Sequence, residues 1–422
     1  MKSTIKWSSI ALAVAMGNGL VATQAVAEGE GFIEGASATL SNRTVYFNRD
    51  FRSNPGKREE TATGFLLNFQ SGFSEGPIGL GADVVAMSGI KLDSGRGRNG
   101  TGLLAVDNDG STPNEYSQIR GAVKAHVLND TVLRYGIHFV DNPVIAYDDA
   151  RLLPSHYSGY SITNKSIEGL FVEAGRMNKR SEMNDSSEPR GAFIEREKVV
   201  YLGGNYDFND NLNASLYTSK ADDLWKRHFA GLGYSTDLGN GLTVGTDLAY
   251  YHTSDDSPAG ENYANKGVSL GLNLGAGHHG FSYAYQRMSG KHGFEYFDGG
   301  IYLANSVQYL DFNARKERSH QVRYDYDFEG MGIPGLSFMT RYIRGSNIDT
   351  DYQSSLNEVG TPAITSDKRW ERNTELQYTF QAGALEGLNV RWRNATVRQD
   401  SSLDGGDVDE NRLIVSYTWT LL

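Results

Sequence analysis

The chain has no cysteine in 422 residues and only nine prolines. Without cysteine there are no disulfides, so its stability has to come from elsewhere. It also has little hydropathy. The mean is −0.46, and past residue 27 no run of about 18–20 apolar residues appears, which excludes a helical membrane protein. Net positive charge is missing too, since the formal charge is −11. That balance argues against a nucleic-acid partner. What is abundant is glycine, tyrosine and phenylalanine, at 49, 24 and 18 residues. This composition suits many strands joined by tight turns better than a helical or α/β enzyme.

The one strongly apolar run lies at the start. Lys2 and Lys6 precede the apolar residues 10–14, and Ala25-Val26-Ala27 forms a small-x-small cleavage site before Glu28. This pattern predicts a secretory signal peptide over residues 1–27, removed on export, and a single domain over 28–422.

The remainder repeats one unit of about ten residues with alternating polarity, followed by a turn, which is the signature of transmembrane barrel strands. Leu413, Val415, Tyr417, Trp419 and Leu421 alternate with Arg412, Ser416, Thr418 and Thr420. Successive side chains of a strand point to opposite faces, so one face suits lipid and the other water. Similar segments surround Leu133, Leu248, Leu270 and Tyr324, while 167–177 alternates less cleanly. Short Gly/Asn/Asp links near 75–77, 129–130, 209–211, 239–241, 277–280, 330–335 and 383–387 take turns with long polar ones. The long ones lie near 48–59, 91–114, 141–155, 178–196, 253–264, 291–316, 346–369 and 398–410. The expected fold is all-β, a transmembrane antiparallel β-barrel of about 18 strands with inward-folded loops. Closure is physically required, because lipid cannot hydrogen-bond a free sheet edge.

The phasing predicts which cations face the lumen. Leu388, Val390 and Trp392 take the lipid face of one strand and leave Arg391 and Arg393 together on the other. Groups two apart on a strand lie about 6–7 Å from each other. Two such charges repel by roughly 0.6 kcal/mol even in bulk water. Facing lipid would cost about 2–4 kcal/mol for each arginine near the midplane. A water-filled lumen relieves both costs. The same phase turns Arg43, Arg120, Lys124, Arg134, Arg323, Arg341 and Arg412 inward. Such a row gives a diffusing carboxylate successive weak sites. In the competing reading these cations pair with inward acids such as Asp247, Asp325 and Glu375 and merely hold the wall together.

Two links read as loops folded into the lumen. Arg151, Leu152, Leu153 and Pro154 follow Asp148-Asp149 in one, where apolar residues stand amid polar ones. The other carries Tyr302, Asn305, Ser306 and Asp311, a set able to form a polar constriction whose acid balances the cations. The alternative for the first is an external loop with its own small cluster. Gly95-Arg96-Gly97-Arg98-Asn99-Gly100 matches a dinucleotide fingerprint but lacks the following helix. Asp107-Asn108-Asp109-Gly110 lacks the spaced ligands of a calcium loop. His278-His279 has no partner at metal-ligand spacing. No nucleophile-elbow motif places a Ser-His-Asp triad. No cofactor, metal or catalytic residue is expected.

Several motifs together resemble the OprD-type porins, the outer-membrane carboxylate channels of pseudomonads. They are Gly31-Phe32-Ile33-Glu34 with Tyr46-Phe47-Asn48-Arg49-Asp50-Phe51, then Ser94-Gly95-Arg96-Gly97 and Asp149-Ala150-Arg151-Leu152-Leu153-Pro154. Leu303-Ala304-Asn305-Ser306-Val307-Gln308-Tyr309 and Arg323-Tyr324-Asp325-Tyr326-Asp327-Phe328 complete a match that runs nearly end to end. The resemblance implies an 18-stranded barrel, monomeric or weakly trimeric, with loops folded into a narrow eyelet. It implies a basic ladder guiding carboxylates, onto which Arg391 and Arg393 map as paired arginines. The Leu-Leu-Pro and Ala-Asn-Ser links map onto constriction loops. The chain departs from the usual aromatic end of such barrels by finishing Leu421-Leu422.

The function expected is passive uptake of small carboxylate solutes, such as amino acids or aromatic and sugar acids, across a Gram-negative outer membrane. The expected partners are those solutes, outer-membrane lipid and lipopolysaccharide, and the barrel-assembly machinery. A barrel-embedded hydrolase and an adhesin or structural barrel with a closed lumen are the rivals. Turnover dependent on one serine would support the first, and absence of bilayer conductance the second.

Overall fold

The structure is a computed structural model. It describes residues 31–52, 56–128, 130–186, 198–258, 262–297, 299–349, 367–401, 403 and 405–422. The predicted signal peptide and its cleavage site, turn residue Asn129 and parts of several long links lie outside the described residues.

Eighteen strands form one sheet. The first nine are Ser37–Phe51, Lys57–Gln70, Gly79–Asp93, Glu115–Val127, Thr131–His138, His156–Ile167, Leu170–Ser181, Val199–Asn209 and Leu212–Ala221. The second nine are Trp225–Gly239, Leu242–Asp255, Asn265–Ala276, His279–Gly290, Arg318–Asp327, Leu336–Ile348, Asp367–Thr379, Asn389–Gln399 and Val408–Thr420. Each pairs antiparallel with its neighbours in the chain. The first closes the ring on the last, in register from Thr39 opposite Thr420 to Phe51 opposite Val408. Closure leaves no strand edge to be satisfied by lipid.

The two faces differ as alternation requires. On the outside, Ile119 is 70% exposed and Leu216 67%. Only contact with hydrocarbon makes such a continuous apolar surface tolerable. Aromatic pairs on alternate outward positions mark one rim: Tyr206–Phe208, Tyr326–Phe328, Tyr378–Phe380 and Tyr417–Trp419, with ring centroids 4.7–4.9 Å apart. They sit at the ends joined by short turns, where an aromatic girdle meets the membrane interface.

Two connections differ from the sequence reading. Residues 167–177 are not one blurred strand, because the wall turns at Glu168-Gly169 and Ile167 pairs with Leu170. Gly169 takes a φ of +74° there. On the opposite rim, Asp222-Asp223-Leu224 is a three-residue link among the long ones, with Asp223 at a φ of +59°.

The apolar core lies in the lumen, where two long links pack against the wall. Link 139–155 contributes Val140, Val144, Ile145 and Tyr147 to a cluster with Phe294, Phe297, Ile301 and Leu303 of link 291–316. Wall residues Trp225, Phe229 and Tyr251 receive both. Leu152 and Leu153 enter a second cluster with Val45, Phe47, Leu66, Leu103 and Leu104. Glycine permits one close approach of link to wall and one between neighbouring wall strands. A Cβ on Gly64 would lie 2.9 Å from Leu152 Cγ, and one on Gly136 2.3 Å from the Gly121 carbonyl. Gly136, at a φ of +127°, stands where its strand stops pairing with the strand before it.

Candidate solute path

Register places the side chains of Arg391 and Arg393 on the inner face, with Trp392 between them turned outward. Both guanidinium groups converge on one acid. Arg391 donates to Glu375 Oε2 at 2.7 Å, and Arg393 Nε stands 2.9 Å from the same oxygen. The Arg393 contact is an ion pair without hydrogen-bond geometry at Nε.

The first inward link closes on this stretch of wall. Arg43 donates to both Asp149 carboxylate oxygens, at 2.6 and 2.9 Å, and to the Arg151 carbonyl at 2.9 Å. This is a bidentate fork, the strong form of such a pair. Arg412 donates to the Ala150 carbonyl at 3.2 Å and to Glu410 at 2.6 Å. Glu410 also accepts from Arg49 at 2.7 Å. Arg151 donates Nε to the Thr101 carbonyl at 3.1 Å and lies over Phe47 at 5.5 Å. Burial, reinforced by the neighbouring Arg412, pushes Arg151 down to about 10, so it stays cationic at neutral pH. A small cavity of about 20 Å³ remains among Arg43, Asp149, Arg151, Asn389, Arg391, Arg393 and Ser416.

Six guanidinium groups therefore gather here, on Arg43, Arg49, Arg151, Arg391, Arg393 and Arg412. Among the described residues, the carboxylates paired with them are three, Asp149, Glu375 and Glu410. The surplus is positive.

The other inward-phased cations are dispersed. Lys124 and Arg134 share Asp83, Lys124 at 2.9 Å. Arg323 pairs with Asp325 on its own strand at 2.6 Å. Arg341 donates to Asn373 at 2.7 Å, and Arg120, among the described residues, only to the Ile119 carbonyl at 3.3 Å. Of the acids named from the sequence, Glu375 and Asp325 do bind cations. Asp247 instead accepts from Asn273 at 3.1 Å.

In the second inward link the polar residues turn to the wall. Asn305 is fully buried and donates to Ser319 at 2.8 Å, while its backbone N–H donates to Gln286 at 2.9 Å. Asp311 accepts from Ser306 and Tyr296. Of the four polar residues named from the sequence, Tyr302 is the one that reaches across, donating its hydroxyl to Asp141 of the first link. Leu152, Leu153 and Pro154 are buried in the contact with the wall. The loop reading of 95–110 holds in that Arg98 pairs with Asp93 at 2.6 Å and Arg96 with Asp109 at 2.7 Å.

The inward arginines missed in the sequence include Arg49, Arg227 and Arg369. The signal was available, since the two-residue phase from Arg43 through Val45 and Phe47 lands on Arg49. Arg227 shares its phase with Trp225 and Phe229, and Arg369 with Glu371.

Comparison with known proteins agrees along the whole length. A family model described as outer membrane porin, OprD family, matches residues 30–421. Porin D of Pseudomonas aeruginosa is 36% identical, with 99% of each chain covered. The crystal structure of Pseudomonas aeruginosa OccK9 (OpdG) superposes with a TM-score of 0.85 at 36% identity, covering 93% of this chain and 100% of that one. That of Pseudomonas aeruginosa OpdK with vanillate gives 0.83 at 33% identity, covering 92% and 100%.

Proposed function

Because the chain belongs to the OprD family of outer-membrane porins, we propose that it admits small solutes bearing a carboxylate, passively and without making or breaking a bond. The membrane is the Gram-negative outer membrane. One observation carries the choice of solute class, the surplus of guanidinium groups where link 139–155 meets the wall. A guanidinium presents a planar fork that matches a carboxylate. Conduction needs sites favourable enough to enter and weak enough to leave. Glu375 and Asp149 supply the second property, because each already occupies part of the fork that an incoming anion would take.

On this reading Arg391 and Arg393 form the central step. Arg43, Arg120, Lys124, Arg134, Arg323, Arg341 and Arg412 supply the remaining ladder. Link 139–155, through Arg151, sets one side of the constriction and Tyr302 the other. Vanillate, named with the OpdK structure, is a carboxylate of the aromatic class. Assembly by the barrel-assembly machinery and a monomeric or weakly trimeric state belong to the same proposal.

Single-channel recording in planar bilayers with a panel of carboxylates tests it. Hydrogen bonds to charged groups contribute about 1.5–3 kcal/mol each. Arg391→Ala/Arg393→Ala should therefore lower carboxylate flux about tenfold or more, leaving potassium chloride conductance much less affected. Unchanged carboxylate flux would remove the pair from the path.

A further inference from the structure

The outer surface carries a feature that solute passage does not use. Where the strands from Gly79–Asp93 to Val199–Asn209 lie side by side, the lipid face is hollowed into a groove of about 700 Å³. That volume lies within the range of ligand pockets, roughly 300–1,000 Å³. Its rows can be read from the register. Val123, Tyr135, Tyr160, Arg176 and Val200 stand opposite one another across five strands. The four uncharged members are 47–66% exposed, so the row faces hydrocarbon.

Arg176 is a cation in that row. Its Nε is sealed against the wall without a hydrogen-bond partner. Among the described residues no acid or acceptor serves its terminal nitrogens. A lipid-facing arginine is among the costlier residues a barrel can carry, unless an anion meets it. The next row toward the short-turn rim is Ala125, Leu133, Ile162 and Ala174, a floor with small residues at its ends. The groove thus has a charged end toward the long links and an apolar end toward the middle of the bilayer. Short turns face the periplasm in such barrels. The charged end therefore points to the outer leaflet.

We propose that this groove binds a phosphorylated lipid of the outer leaflet, with a phosphate on the Arg176 guanidinium and an acyl chain along Leu133, Ile162 and Ala174. Arginine recognises phosphate by the same fork it offers a carboxylate. The site is separate from the lumen, and it stands whether or not carboxylates are the solutes.

Native mass spectrometry of the detergent-purified protein tests it, with bis-phosphorylated lipid A and its dephosphorylated form as probes. The parent should hold the phosphorylated lipid at least fivefold more tightly. Arg176→Gln should abolish that preference, Arg176→Lys should retain most of it, and Ala174→Trp should weaken both lipids by filling the groove. Millimolar inorganic phosphate should not compete, because the chain contacts are absent. Unchanged heat-modifiable migration on gels establishes that each variant remains a folded barrel. Equal affinity for both lipids, or Arg176→Gln binding like the parent, overturns the proposal. So does efficient cross-linking of Tyr160→Cys, the chain's single thiol, to a second copy, which would assign the groove to self-association.

Discussion

Both inward links pack apolar residues in the lumen, but they differ in how much charge is added to that packing. Link 139–155 is clamped by charge, through the Arg43–Asp149 fork and the Arg412 bond to the Ala150 carbonyl. Link 291–316 is wedged by packing. Phe294 is fully buried between Arg227, at 4.1 Å from its ring, and Tyr251, at 4.7 Å. Glu371 accepts the backbone N–H groups of Tyr309 and Leu310 at 3.0 and 2.8 Å. The charged clamp stands on the proposed path, where a passing anion competes for the same guanidinium groups. The apolar wedge stands off it, where nothing dissolved in the lumen can displace it. On the proposed function, selectivity would rest chiefly on the first set of contacts and aperture chiefly on the second.

If that division is right, the wedge should break hardest. Phe294→Ala removes a buried aromatic ring, a loss of about 3–5 kcal/mol. Link 291–316 should then leave the lumen while the barrel, closed by its own hydrogen bonds, stays folded. Expected readouts are a several-fold higher single-channel conductance and new proteolytic cleavage within 291–316, with the carboxylate preference reduced only slightly. Unaltered conductance would mean the wedge does not set the aperture.

Breaking the clamp should have a smaller effect of a different kind. Asp149→Asn keeps the shape but weakens the fork, costing about 1.5–3 kcal/mol for hydrogen bonds to a charged group. It also adds a positive charge to the slot. Reversal potentials in a salt gradient should shift toward anions, with conductance changed less than by Phe294→Ala. Arg43→Met/Asp149→Leu removes both charges at once. Because a buried pair replaced by apolar residues is often neutral, that variant should retain the parent's loop position while losing the shift. A shift in the double variant as large as in the single one would show that packing, not charge, holds the first link.

How much of this was legible in the sequence follows from what alternation encodes. Inward and outward facing is a local property of a two-residue period, so Arg391, Arg393, Arg43 and Arg412 could be assigned without coordinates. A turn is legible only when its residues are conspicuous. Glu168-Gly169 escaped because apolar residues at 170, 172 and 174 keep a strand-like pattern running through it. Pairing across the lumen is a different problem. Arg43 and Asp149 lie 106 positions apart, and no period relates a wall residue to a loop residue. The same limit explains the second link. Its Asn, Ser and Asp read as a polar lining, whereas Ser269, Gln286 and Ser319 on the facing wall anchor Ala304 and Asn305, and Ser306 and Asp311 bond within the link itself.

The smallest expected effect concerns protons and is common to both links. Burial holds the Asp311 carboxyl above the usual carboxylate range, against the opposing hydrogen bonds from Ser306 and Tyr296 and the charge of Arg369. Asp148 in the first link is shifted the same way, also chiefly by burial. A carboxyl whose value is raised in the packed state takes up its proton at a pH where a released, solvated loop is still ionised. Acid therefore favours the packed state. The gain accumulates as pH falls from neutral toward the ordinary carboxylate range, and it becomes constant once both states are protonated. Potassium chloride conductance should fall modestly over that window. Asp141 of the first link is raised by burial too, so Asp311→Asn, Asp148→Asn and Asp141→Asn should each remove part of the response, because an amide is neutral at every pH. A conductance that rises on acidification would place these acids in contact with solvent and the second link outside the lumen.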